Sequence, residues 1–242
     1  MFPEIKPYLS ITITECGESL VAIPTTFALV NPHAYQSLGA EYGDKSPFYL
    51  REGVLRCLEK SQKYLQSMKP NWHIRIFDAY RPITVQKLMV DRTFRQLTEA
   101  RGWNTDNLTP AQNTEIMDLV LQFWAIPSLD RNTPPPHSTG AAIDVTLQDD
   151  RGQAVNMGSE IDEVSPRSFP DYFKLGNAND TSESQQFHAN RELLYAVMTY
   201  SGFQRHPNEW WHFSLGDQMW AWLVNQQSDR PSEVARYGRY ED

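Results

Sequence analysis

His137-Ser138-Thr139-Gly140-Ala141-Ala142-Ile143-Asp144, running on into Val145-Thr146-Leu147, is the stretch on which the fold turns. From Ala142 to Leu147 apolar and polar residues alternate, which predicts a strand with Ile143, Val145 and Leu147 facing a core and Asp144 facing the other way. His137 stands seven residues ahead of Asp144, directly behind Pro134-Pro135-Pro136, which predicts a stiff, extended lead-in. Gly140 lets the chain turn sharply between the two. A second stretch, Glu209-Trp210-Trp211-His212-Phe213-Ser214-Leu215, repeats the alternation: Trp211, Phe213 and Leu215 share one face and His212 takes the other, with Glu209 on the preceding turn.

A single His or Asp on a strand is usually no more than a hydrogen-bonded polar residue. The two stretches together offer two imidazoles and a carboxylate as ligands, plus a spare carboxylate. That is the inventory of a catalytic zinc site, with three protein ligands, an open position and a nearby general base. The spacing is not the helical His-Glu-x-x-His, in which both histidines share a helix face.

These residues resemble a known family. His137…Gly140-x-Ala142-x-Asp144 and Glu209-x-x-His212 look like the zinc motifs of the D-alanyl-D-alanine dipeptidases, the VanX-like branch of the M15 metallopeptidases. Asp78-Ala79-Tyr80-Arg81-Pro82 resembles that branch's arginine motif, and Met157-Gly158-Ser159-x-x-Asp162 its Met-Gly-Thr-x-x-Asp segment. The likeness runs from about Leu50 to Leu215, with the motifs in the family's order. It implies one Zn²⁺ per chain on His137, Asp144 and His212, with Glu209 as general base and Arg81 as the cation facing the developing oxyanion. It also implies a free D-Ala-D-Ala substrate, a small dipeptide whose ammonium Asp162 holds. One departure stands out. The family usually has Ser two residues before the first zinc His, where it helps hold substrate; Pro135 stands there here, so that contact is not carried over.

Composition narrows the remaining classes. The chain has 242 residues, is 40% hydrophobic and carries a net charge of −8, which fits one globular domain and argues against a nucleic-acid partner. Its two cysteines, Cys16 and Cys57, make no disulfide framework and suit a reducing compartment. No run of 18 apolar residues predicts a membrane partner, and the start Met1-Phe2-Pro3-Glu4 lacks the features of a signal peptide; the expected location is cytoplasmic.

Residues 8–30 alternate weakly and predict short strands, and 31–47 read as loop. Apolar spacing predicts helices over roughly 50–68, 84–101, from a Thr109-Pro110 capping box to about 123, and 187–201. His73 to Tyr80 predicts a strand ending at Arg81, and Asp217 a cap for a short helix. The long polar stretch 148–186 is expected to rim the pocket, and the tail from about 226 to fray. The whole, residues 1–242, reads as a single zinc peptidase domain of α+β class, an antiparallel sheet flanked by helices; the resemblance implies the same, the hedgehog/D,D-peptidase type. Three rival functions remain at this level: a peptidoglycan D,D-carboxypeptidase or L-Ala-D-Glu endopeptidase, a non-catalytic zinc-stabilised binding module, and a metal-free binder of amino-acid ligands. Of the other histidines, His206 is expected to hydrogen-bond near the second motif and His73 and His188 to be structural.

Overall fold

A computed structural model describes residues 6–174 and 181–240. In chain order the elements are β1 (Leu20–Ala22), β2 (Ala28–Leu29), α1 (Ala34–Ser37), β3 (Tyr49–Arg51), α2 (Glu52–Met68), β4 (His73–Asp78), α3 (Ile83–Ala100), α4 (Pro110–Phe123), β5 (Ala142–Gln148), α5 (Ser182–Thr199), β6 (Gln204–Arg205), β7 (His212–Ser214) and α6 (Gln218–Gln226). Among the described residues no helix is long and apolar enough to cross a membrane.

The main sheet has the order β2-β4-β5-β7-β6. Every pairing in it is antiparallel except the edge strand β2, which runs parallel to β4. The alternation read from the sequence survives in β5: Ile143, Val145 and Leu147 enter the core with Ile74 and Ile76 of β4 and Phe213 of β7. That face is covered by α2, through Val54, Leu58 and Leu65, and by α5, through Leu194, Val197 and Met198. A second core joins α3 and α4, through Val85, Met89, Ile116 and Val120, to Tyr35 and Trp124. This lobe forms one wall of the site. The Thr109–Gln112 capping box opens α4 as its sequence predicts. Helix α5 begins earlier than its apolar spacing suggests, at a Thr181–Ser184 capping box whose polar residues carry no periodic signal.

The sheet register lines up the polar side chains. Asp144 lies opposite His212 on β7 and opposite Asp78 on β4. Simple alternation would send Asp78 into the core with Ile74 and Ile76. A register shift between Ile76 and Asp78 inserts one extra residue, Phe77, and turns Asp78 to the face of Asp144.

The described part of the tail, to residue 240, is docked rather than free. Ala235 bridges Ile13, the Tyr237 N–H donates to Gly216 O at 3.2 Å, and the Tyr240 N–H donates to Ser138 O at 2.9 Å. Buried Arg51 ties this end to the central motif: its Nε donates to Thr139 O at 2.7 Å, its Nη2 to Gly238 O at 3.1 Å, and its guanidinium lies over the rings of Tyr237 and Tyr240. The polar composition of residues 226–240 hides these few anchors.

Candidate active site

The first site residue comes from a turn rather than an extended lead-in. Pro136–Thr139 form a single 3-10 turn that Gly140 ends in the left-handed region at φ 70°. A side chain at Gly140 would collide with Leu20 Cδ2. Gly140→Ala is therefore expected to destabilise the fold by about 1–2 kcal/mol from backbone strain alone, more with the collision, and so to lower Tm by several degrees in a thermal melt. An unchanged Tm would mean that the turn relaxes freely.

The turn aims His137 at the sheet. Its Nδ1 donates to the Ala79 carbonyl at 2.7 Å, which leaves Nε2 with its lone pair outward. Across the sheet, the Ser214 hydroxyl donates to Asp217 Oδ2 at 2.8 Å and so has only a lone pair for His212 Nε2, 3.4 Å away. That nitrogen is then the protonated one, and Nδ1 carries the lone pair. The two lone-pair nitrogens face each other at 3.1 Å, with Asp144 oxygens 3.2 Å from His137 Nε2 and 3.0 Å from His212 Nδ1. Unprotonated donors repel one another at such distances, and a cation among them removes the conflict. The ligand atoms of all three residues lie within 4.8 Å of one another, so this donor set fits one metal ion. Asp217 also caps α6 through the Trp220 N–H, so one buried carboxylate fixes both the helix start and the His212 tautomer.

Glu209 sits on the turn between β6 and β7, its oxygens 3.8 Å from His212 Nδ1 and 3.7 Å from His206 Nδ1. It borders the ligand cluster without joining it. Burial pushes its carboxyl well above the usual range, and the charge of Asp144 adds to this. Asp144 behaves oppositely: burial opposes its ionisation, but His137 and His212, when protonated, hold it well below the usual range, the role a cation among the three would take over. His206 accepts from the Asn208 N–H at 3.1 Å and shapes the Glu209 turn, as its place in the sequence suggests.

Arg81 is 4% exposed, not a surface arginine. Its Nε donates to Asp78 at 2.8 Å, its Nη1 to Gln86 at 3.0 Å, and its Nη2 to Tyr35 Oη and to Asp144, each at 3.1 Å. The guanidinium also lies over the rings of Tyr35 and Trp124. Of five N–H groups, one on Nη1 is left over. Burial disfavours the Asp78 carboxylate, but Arg81 and His33 outweigh it and bring it below the usual range. His33, for which the sequence offered no role, caps α1 through the Gln36 N–H and brings Nε2 to 3.3 Å from Asp78.

Asp162, in the left-handed region at φ 66°, accepts from Tyr35 Oη at 2.6 Å. As a residue it is partly exposed, yet its carboxyl is enclosed, and burial with the charge of Asp144 pushes it up to about 7. It does reach the site, so the 148–186 stretch supplies part of the rim; residues 175–180 lie outside the described residues. All six residues picked out in the sequence, His137, Asp144, His212, Glu209, Arg81 and Asp162, line one cavity of about 400 Å³ counted to its open mouth, the scale of a small-ligand site. Missing from the sequence reading are Lys6 and Gln86 in the lining and Tyr35 behind Arg81: Lys6 and Tyr35 lie in stretches without periodicity, and Gln86 is a polar position of a helix known only by its apolar spacing.

This constellation can be set beside known proteins. The sequence model of the M15 peptidases described as D-Ala-D-Ala dipeptidase matches residues 29–233. A D-alanyl-D-alanine dipeptidase of Synechocystis is 48% identical over 241 residues, covering 98% of each chain. The chain belongs to the D-Ala-D-Ala dipeptidase family of M15 peptidases. A D-alanyl-D-alanine dipeptidase of Enterococcus faecalis is 34% identical over 171 residues, 69% of this chain and 73% of that one. Among solved structures, the LdcB LD-carboxypeptidase aligns at TM-score 0.44 and 15% identity, covering 91% of this chain and 77% of that one. Membership agrees with the likeness first read from the His137–Asp144 and Glu209–His212 motifs, and with an α+β domain.

Proposed function

We propose that this chain is a zinc-dependent dipeptidase that hydrolyses D-alanyl-D-alanine to two D-alanines, with one Zn²⁺ held by His137, Asp144 and His212. The observation that carries the reading is the convergence of two lone-pair nitrogens and a carboxylate on one point, with Glu209 and Arg81 bordering the same small cavity. The full-length likeness to a dipeptidase supports the substrate. Zinc held there supplies a Lewis acid that lowers the pKa of water from about 15.7 to about 7 and polarises the scissile carbonyl.

The chain's own residues do the rest. Glu209 takes a proton from the attacking water and returns it to the leaving amine; its place beside His212 and the ligand cluster keeps it within reach of both. Arg81 turns its remaining N–H toward the carbonyl oxygen as negative charge develops there. Asp78, Gln86 and Tyr35 hold the guanidinium rigid, so little reorganisation accompanies the charge. Asp162, already in a short hydrogen bond with Tyr35, receives the substrate ammonium. Neither Glu209 nor Arg81 is needed merely to hold a metal, which sets this reading above a non-catalytic zinc module.

A panel of D,D-, L,D- and L,L-dipeptides, with and without zinc, tests the substrate. N-acetyl-D-Ala-D-Ala belongs in it, because acetylation removes the ammonium, leaves Asp162 unpaired and adds atoms to a small cavity. Its kcat/KM is expected to fall by roughly 3 kcal/mol, about 150-fold, relative to the free dipeptide. Equal rates on both would move the reading to a carboxypeptidase.

A further inference from the structure

A free dipeptide carries a carboxylate as well as an ammonium, and a small cavity leaves that charge unpaired unless a cation meets it. Among the described cavity residues the only lysine is Lys6 and the only arginine Arg81. Arg81 is spent: four of its five N–H groups are bonded, two of them to Asp78 and Asp144. Lys6 is not. Its ammonium has three N–H groups, and among the described residues its one hydrogen bond is to the Trp124 carbonyl, at 3.2 Å.

Position matters as much as charge. Lys6 also borders the neighbouring groove formed with His206, Pro207 and Asn208, the turn that leads into Glu209. Asp162 lies elsewhere on the wall, joined through Tyr35 to Arg81. Electrostatics agree with this layout: Lys6 feels Glu209, while Asp162 feels Asp144 and Arg81. In a dipeptide the carboxylate is two bonds beyond the nitrogen that receives the Glu209 proton, so its partner must stand on the Glu209 side.

We propose that Lys6 binds the substrate carboxylate and so restricts the enzyme to peptides with a free C-terminus. This rests on the dipeptidase reading above. The contact is made equally in ground and transition states, so its loss raises KM and spares kcat.

The test compares D-Ala-D-Ala with its C-terminal amide, D-Ala-D-Ala-NH₂, on the zinc-loaded enzyme and on Lys6→Met and Lys6→Arg. Wild type should prefer the acid. Lys6→Met should lose roughly 10–100-fold in kcat/KM on the acid, mostly through KM, and change little on the amide. Lys6→Arg should restore part of the preference, since it keeps the charge but not the shape. Equal losses on acid and amide would make Lys6 a structural residue or a counter-ion of Glu209 and overturn the assignment. An unchanged Lys6→Met with an active wild type overturns it too. A wild type that cleaves neither compound overturns the dipeptidase reading and this assignment with it.

Discussion

Glu209→Gln is expected to lower kcat by about 10²–10⁴-fold while the protein still binds one zinc per chain. The two side chains have nearly the same shape, so the substitution removes the ability to take a proton and little else. The expectation that metal stays comes from geometry: Glu209 approaches His212 Nδ1 only to 3.8 Å, whereas Asp144 reaches both ring nitrogens at 3.0 and 3.2 Å. Steady-state kinetics with metal analysis on the same preparation separates the roles. Loss of zinc in parallel with activity would make Glu209 a ligand, and wild-type kcat would remove it from the reaction.

Alanine at His137, Asp144 or His212 is expected to do the reverse and lower metal content itself, since each removes one of three ligands. The effect should exceed that of Ser214→Ala, which leaves the ligands in place and removes the hydroxyl that orients His212 and bonds Asp217; such supporting contacts are typically worth about 10–100-fold in metal affinity. Competition with a chelator gives all four affinities. Full zinc retention in the three ligand variants would refute the assignment. Asp144 needs a folding control by circular dichroism, because its removal also strips buried Arg81 of a counter-charge.

The sequence announced β5 and β7 because a two-residue alternation survives in strands that cross a core, and the two motifs ride on that alternation. It announced Asp217 and Thr109 because capping is local chemistry. It could not announce the extra residue at Phe77, which depends on how β4 meets β5 and which turns Asp78 to face Arg81. Nor could it place Tyr35, which reaches the site from a stretch without periodicity and supplies the bridge between Arg81 and Asp162. The depth of Arg81 was equally hidden, since a strand-end arginine is usually exposed and only the α3–α4 lobe, through Gln86 and Trp124, encloses it. The parallel edge strand β2 is two residues long, too short to print a pattern.

The docked tail has a kinetic meaning. The carbonyls of Ser138 and Thr139, flanking His137 and Gly140, are occupied by the Tyr240 amide and the Arg51 guanidinium, and Arg51 in turn holds Gly238. Peeling the tail away would orphan a carbonyl and uncover a buried cation beside the histidine turn, so tail and turn open together as one cooperative unit rather than by independent fraying. In the language of hydrogen exchange, the Tyr240 amide at the far end of the sequence belongs to the same opening event as the loop that carries the first histidine. Removing Tyr237–Tyr240 is therefore expected to speed the release of a metal held by that histidine, and an unchanged release rate would uncouple the two.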